Sequence, residues 1–73
     1  MRASTLRAAL GQAAGSPVRV YRPSPGVVRL SARAPVESDR WADVLDVVRA
    51  GRSWGSTDAT GEVIVWTEVE EPL

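Results

Sequence analysis

Residues 52–70 read RSWGSTDATGEVIVWTEVE, and this stretch decides the fold. Val63–Thr67 is a run of β-branched and aromatic residues, which is typical of a β-strand. Before it, Asp58–Gly61 has Asp at its first position and Gly at its fourth, which is turn chemistry. Ser53–Ser56 can supply the partner strand. The stretch therefore predicts a β-hairpin, and the rest of the chain is expected to cover or extend it.

A helix and a first hairpin are predicted upstream. Ser4 is a candidate N-cap, Gly15 is a candidate C-terminal stop, and the residues between them form an apolar stripe at i, i+3, i+4 and i+7, namely Leu6, Ala9, Leu10 and Ala13. The alternating segments 18–21 and 27–33 predict two strands. The turn sequence Pro-Ser-Pro-Gly at 23–26 joins them.

A second helix is predicted between the two hairpins. Ser38 is its expected N-cap, Gly51 its expected end, and its apolar stripe is Trp41, Val44, Leu45 and Val48. The order is then an αββαββ pseudo-repeat in a single domain of 73 residues. The most economical fold is α+β: one four-stranded antiparallel sheet with two helices on one face.

Composition limits the class of protein. Residues 1–36 carry six arginines and no acid, whereas residues 37–73 carry three arginines and nine acids, so the net charge is zero. This asymmetry favours either a polyanionic partner or attraction between the two halves. The longest apolar run is Val63–Trp66, too short to span a membrane. A soluble cytoplasmic protein is the expectation.

The sequence contains few of the residue types that carry out catalysis. The chain has no His, Cys or Lys, so the usual general bases and activated nucleophiles are missing. No phosphate loop, dinucleotide fingerprint or cluster of metal ligands is present, and Asp58–Gly61 lacks the further oxygen ligands of a calcium loop. A non-enzyme without cofactor or metal is expected.

Side-chain parity predicts what each sheet face carries. The apolar parity is Val18, Val20, Val28, Leu30 and Ala32 in the first hairpin, with Val63, Val65, Thr67 and Val69 in the last strand. The opposite parity is expected to form an open face. Its predicted partner-binding residues are Tyr21, Trp54, Ile64, Trp66, Arg19, Arg29 and Glu68, although parity does not decide which face carries Trp54. Arginines are expected at one end of this face and glutamates at the other.

Three interpretations of that surface remain open. An uncovered aromatic patch favours binding to a protein, either a foreign partner or a second copy in a homodimer. Tyr21 beside Arg19 and Arg29 also resembles a platform for single-stranded nucleic acid or RNA, although the glutamates oppose it. In the third interpretation, Ile64 and Trp66 belong to the core.

One resemblance concerns the last third of the chain. Residues 54–61, WGSTDATG, followed by Val65-Trp66, are similar to the C-terminal part of small uncharacterised proteins from actinobacterial chromosomes, plasmids and phages. The resemblance implies a small accessory protein of a mobile element. It implies no activity and assigns no functional residue.

Overall fold

The computed structural model describes residues 2–36, 38–59 and 61–71. Its elements follow the order α1 (Ala3–Ala14), β1 (Arg19–Ser24), β2 (Val27–Arg33), a 3-10 turn (Ser38–Arg40), α2 (Trp41–Val48), β3 (Ser53–Ala59) and β4 (Glu62–Glu70). The four strands form one antiparallel sheet in the order β1-β2-β4-β3. The predicted α+β class and the four-stranded antiparallel sheet are confirmed.

The core lies between the sheet and the two helices. It consists of Leu6, Leu10 and Ala14 of α1, Val44 and Val48 of α2, Val28, Leu30 and Ala32 of β2, and Val65 and Val69 of β4. Thr67 shares this face of β4 and is fully buried. The parity predicted for the two central strands is therefore confirmed. The outer strands are less well covered, since Val20 of β1 remains 43 % exposed on the same side.

The ends of the helices differ in part from the predictions. Gly15 does end α1, in a left-handed conformation with φ 67°, and its N–H donates to the carbonyl of Gly11. Neither predicted serine occupies an N-cap position, because Arg2 precedes α1 and Arg40 precedes α2. The 3-10 turn takes up the start of the second helical segment.

Gly51 has a packing role rather than a capping one. α2 ends at Val48, and a Cβ atom on Gly51 would lie on the hydroxyl of Thr67 and 2.7 Å from the carbonyl oxygen of Glu68. The hydroxyl of Thr67 donates to the carbonyl of Val48 at 2.8 Å. The absence of a side chain at Gly51 thus lets the end of α2 contact the middle of β4.

The second hairpin turns one residue later than predicted. β3 continues to Ala59, which pairs with Glu62, and Gly61 takes φ 79° between the strands. Positive φ is the conformation that glycine adopts without steric cost. The remaining turn residue, Thr60, lies outside the described residues.

Candidate functional site

The face of the sheet away from the helices carries the candidate site. Strand register places Tyr21, Arg29, Glu68 and Ser53 in one row across the four strands. The neighbouring row on the same face is Arg19, Ser31, Trp66 and Gly55. Residues directly opposite one another in antiparallel strands share a face, so these rows alternate with the buried rows that include Leu30 and Thr67.

A charged cluster occupies the centre of this face. The guanidinium of Arg29 donates from Nε to Oε2 of Glu68 at 2.8 Å, and its terminal nitrogen lies 2.6 Å from the same oxygen. The hydroxyl of Ser53 donates to the other carboxylate oxygen at 3.2 Å. Both oxygens of Glu68 therefore have partners from the strands on either side of β4.

The indole of Trp66 completes the cluster. The Cζ of Arg29 lies 4.8 Å from the ring centroid, within the range of a cation–π contact. The ring also covers Gly55, since a Cβ atom there would lie 2.9 Å from Cζ2 of Trp66. This is the arrangement in which an aromatic side chain shields a glycine on an edge strand. Trp66 is partly buried by these contacts and lies outside the core, so the interpretation of Trp66 as a core residue is wrong.

Glu68 is held as a carboxylate. The hydrogen bond from Arg29, together with the charge of that guanidinium and the hydroxyl of Ser53, lowers the pKa of Glu68 below its ordinary value of 4.5, although burial acts in the opposite direction. A general acid or base needs a pKa near the working pH. Glu68 is therefore suited to an ion pair and not to proton transfer at neutral pH.

Trp54 does not share this surface. It pairs with Thr67, whose hydroxyl contacts α2, and its ring lies 5.8 Å from the guanidinium carbon of Arg49 at the end of that helix. Trp54 is thus on the helix side of the sheet and is 44 % exposed there. The structure unites the other six predicted residues on the open face, namely Arg19, Tyr21, Arg29, Ile64, Trp66 and Glu68.

The predicted separation of the arginine and glutamate ends is wrong. Because β2 lies beside β4, their charged residues face each other across the strands, and Arg33 lies 3.0 Å from Glu62. Arg52 likewise pairs with Glu70 at 3.0 Å. A dimer through this face loses the charge separation that favoured it and stays a prediction.

The rim of the face near β1 remains accessible. Tyr21 is 59 % exposed. Arg19 forms no ion pair with the residues that the structure describes. A depression beside it includes Ser31, Arg33 and Ile64 in its lining. The face therefore combines an exposed ring, an apolar side chain and an unpaired cation.

Two residues of the cluster were missed by the sequence reasoning. Ser53 could be assigned to Glu68 only through the register of β3 with β4. Gly55 did carry a signal, because a glycine within a strand often marks a close approach by another group.

Within the described part of the chain, no helix is long and apolar enough to cross a membrane. No group of three or more His, Cys, Asp or Glu residues suited to a metal ion occurs there either.

Comparisons of the chain with protein families, curated proteins and solved structures gave no match. The resemblance to actinobacterial proteins therefore stays a prediction.

Proposed function

We propose that this protein is a small, non-catalytic interaction module that binds another protein through the open face of its sheet and acts in the cytoplasm. The observation that carries the proposal is the cluster around Trp66, with Tyr21 exposed beside it. Trp, Tyr and Arg are the residues most enriched at the energetic centres of protein interfaces. Here all three lie on one uncovered surface.

The cluster is already ordered within the chain. Arg29 is fixed by Glu68, and Trp66 is fixed by Arg29 and Gly55. A partner would therefore meet side chains that have little rotamer freedom left to lose, which lowers the entropic cost of association. The depression lined by Arg19 and Ile64 would accept an apolar side chain of the partner against Ile64, with Arg19 placed to pair with a neighbouring acid of the partner.

Nucleic acid is a weaker candidate for this face. Arg29 and Arg33 are each paired with a glutamate of β4, so their charge is largely cancelled before a phosphate arrives. Binding to a phosphate backbone depends on cations that displace counterions. Arg19 has no ion-pair partner among the described residues, and one such group supplies little of that attraction.

The test uses Tyr21, because this side chain can change without disturbing the cluster. A photo-crosslinking amino acid at position 21 should capture a protein in the native host, whereas the same probe at exposed Gln12 on α1 should not. The captured protein is then purified, and its affinity is measured by calorimetry. Tyr21→Ala should weaken binding by about 2 kcal/mol, roughly thirtyfold, if Tyr21 is at the centre of the contact. Gln12→Ala is the matched control.

Three outcomes would contradict the proposal. The first is an equal yield of adduct at positions 12 and 21. The second is an unchanged affinity of Tyr21→Ala for the captured protein. The third is binding to single-stranded oligonucleotides that weakens steeply with salt and depends on Arg19, which would support the nucleic-acid interpretation instead.

A further inference from the structure

The two edges of the sheet differ in how they are protected. Edge strand β1 contains Arg19, Arg22 and Pro23, and its register shifts between Tyr21 and Ser24. Proline, cations and bulges are the usual devices that prevent another strand from pairing with an edge. Edge strand β3, with the sequence SWGSTDA, has seven residues in continuous register with β4 and contains no proline and no cation.

The free hydrogen-bonding groups of β3 follow from the pairing of its neighbours. The N–H of Ala34 donates to the carbonyl of Val63 at 2.7 Å, so Val63 directs its backbone groups toward β2. Backbone groups alternate in direction along an antiparallel strand. Ile64 and Trp66 therefore direct theirs toward β3, where their partners are Thr57 and Gly55.

The intervening residues of β3 must then direct their N–H and C=O groups away from the sheet. These residues are Trp54, Ser56 and Asp58. None of them takes part in a backbone hydrogen bond of a turn, loop or cap in the described chain. The edge consequently presents a regular row of donors and acceptors that is ready to accept a strand.

We propose that β3 pairs antiparallel with β3 of a second copy of this chain about a two-fold axis through Ser56. In this register Ser56 faces its own counterpart, and Trp54 faces Asp58 of the second copy. The register pairs all three outward-directed residues, whereas a shift of two residues in either direction leaves one of them without a partner strand. It also places residues of the same parity opposite each other, so both copies keep their helices on the same side.

Charge complementarity supports a second copy as the occupant. Arg49 stacks at 5.8 Å from the ring centroid of Trp54, and it forms no ion pair among the described residues. Asp58 has no ion-pair partner among those residues either. Pairing about Ser56 brings Asp58 of one copy opposite Trp54 of the other, beside Arg49. The two-fold axis forms this contact twice.

The resulting assembly has one continuous eight-stranded sheet and leaves the open face uncovered. The inference is therefore independent of the proposed function, and each copy retains its own cluster around Trp66. The two surfaces can be tested separately, because the edge uses backbone groups of β3 and the open face uses side chains.

The experiment is sedimentation equilibrium of the full chain over a wide micromolar range. The wild type should dimerise, and Ser56→Pro should weaken dimerisation by about tenfold or more, because it removes one donor from each copy at the axis. The N–H of Ser56 points away from β4, and proline is tolerated on edge strands, so circular dichroism should be unchanged. Val20→Pro is the matched control, since it removes an outward N–H from the opposite edge and should leave the dimer intact.

A charge swap tests the register. Asp58→Arg and Arg49→Glu should each weaken the dimer by about tenfold, because each replaces two attractive pairs with two repulsive ones. The double variant should restore wild-type dissociation. A wild type that remains monomeric throughout the range overturns the proposal, as does a dimer that Ser56→Pro leaves unchanged. A dimer that is sensitive to Tyr21→Ala and not to Ser56→Pro uses the open face and overturns it as well.

Discussion

The same substitution, Gly to Ala, should have opposite effects at two positions. In Gly55→Ala the new Cβ would lie 2.9, 3.1 and 3.2 Å from Cζ2, Cε2 and Nε1 of Trp66. Carbon contacts are optimal at about 3.5–4.0 Å, so the indole must move outward by roughly half an ångström or more. In Gly11→Ala the nearest atom is Cγ2 of Val18 at 3.6 Å, which is ordinary contact.

The expected magnitudes follow from these distances. Overpacking costs about 1–3 kcal/mol, and the low end applies to Gly55→Ala because the ring lies at the surface and can rotate. Replacing glycine also lowers the entropy of the unfolded chain, a gain of about 0.4–1 kcal/mol. With a cost slightly above 1 kcal/mol and this gain subtracted, the variant should lose about 0.5 kcal/mol, which lowers the melting temperature of a domain this small by about 2–4 °C. Gly11→Ala should gain about 0.5–1 kcal/mol within α1.

Thermal unfolding followed by circular dichroism measures both shifts. Fluorescence adds a local readout when Trp41→Phe and Trp54→Phe leave Trp66 as the only indole, because Gly55→Ala should then shift its emission toward that of a solvated ring. An equal rise in melting temperature for both alanine variants would refute the contact between Trp66 and Gly55. The ordered binding surface proposed above would lose its basis as well.

Two further predictions concern β4. Thr67→Val should lower the free energy of unfolding by about 1 kcal/mol in urea denaturation, because it removes the hydrogen bond from the Thr67 hydroxyl to the carbonyl of Val48. The cost stays small because that carbonyl still accepts a hydrogen bond from the N–H of Gly51 at 3.2 Å. An unchanged midpoint would contradict this. The lowered pKa of Glu68 means that its ion pair with Arg29 stabilises the fold above pH 4.5 and that this contribution is lost as the pH falls through the folded-state pKa. The difference in melting temperature between wild type and Glu68→Gln should therefore shrink below pH 4.5, and a constant difference would refute the assignment.

Local pattern was most informative for the central strand. β4 is paired on both sides, and the alternation of residues 63–69 identified the face of every side chain because one side had to meet the helices. Trp54 lies in an edge strand without such alternation, so its face follows only from its pairing with Thr67. The role of Gly51 could likewise not be predicted from local sequence, because it depends on contact with the hydroxyl of Thr67 in β4.

The charged residues show why the candidate site was harder to predict than the fold. Arg29 and Glu68 are 39 residues apart in the sequence. They meet because the strand next to β2 in the sheet is β4 and not β3. Hydrophobic periodicity predicts that strands exist, whereas their order depends on how the hairpins assemble. Without the strand order, the sequence predicted arginines at one end of the open face and glutamates at the other. With it, they form cross-strand pairs.

These pairs would also restrict what the proposed partner of the open face can use. Arg29 is held by Glu68 at 2.6 Å and stacks on Trp66, so an acid of the partner would have to displace a carboxylate already in place. Exchange of one ion pair for another brings little net free energy. Among the described residues of this face, the groups without such a partner are the ring of Tyr21, the apolar surface around Ile64 and the charge of Arg19. Selectivity for the proposed partner would come from these groups. A cognate segment should present an apolar side chain next to an acid, and neutralising that acid should lose affinity only when Arg19 is present.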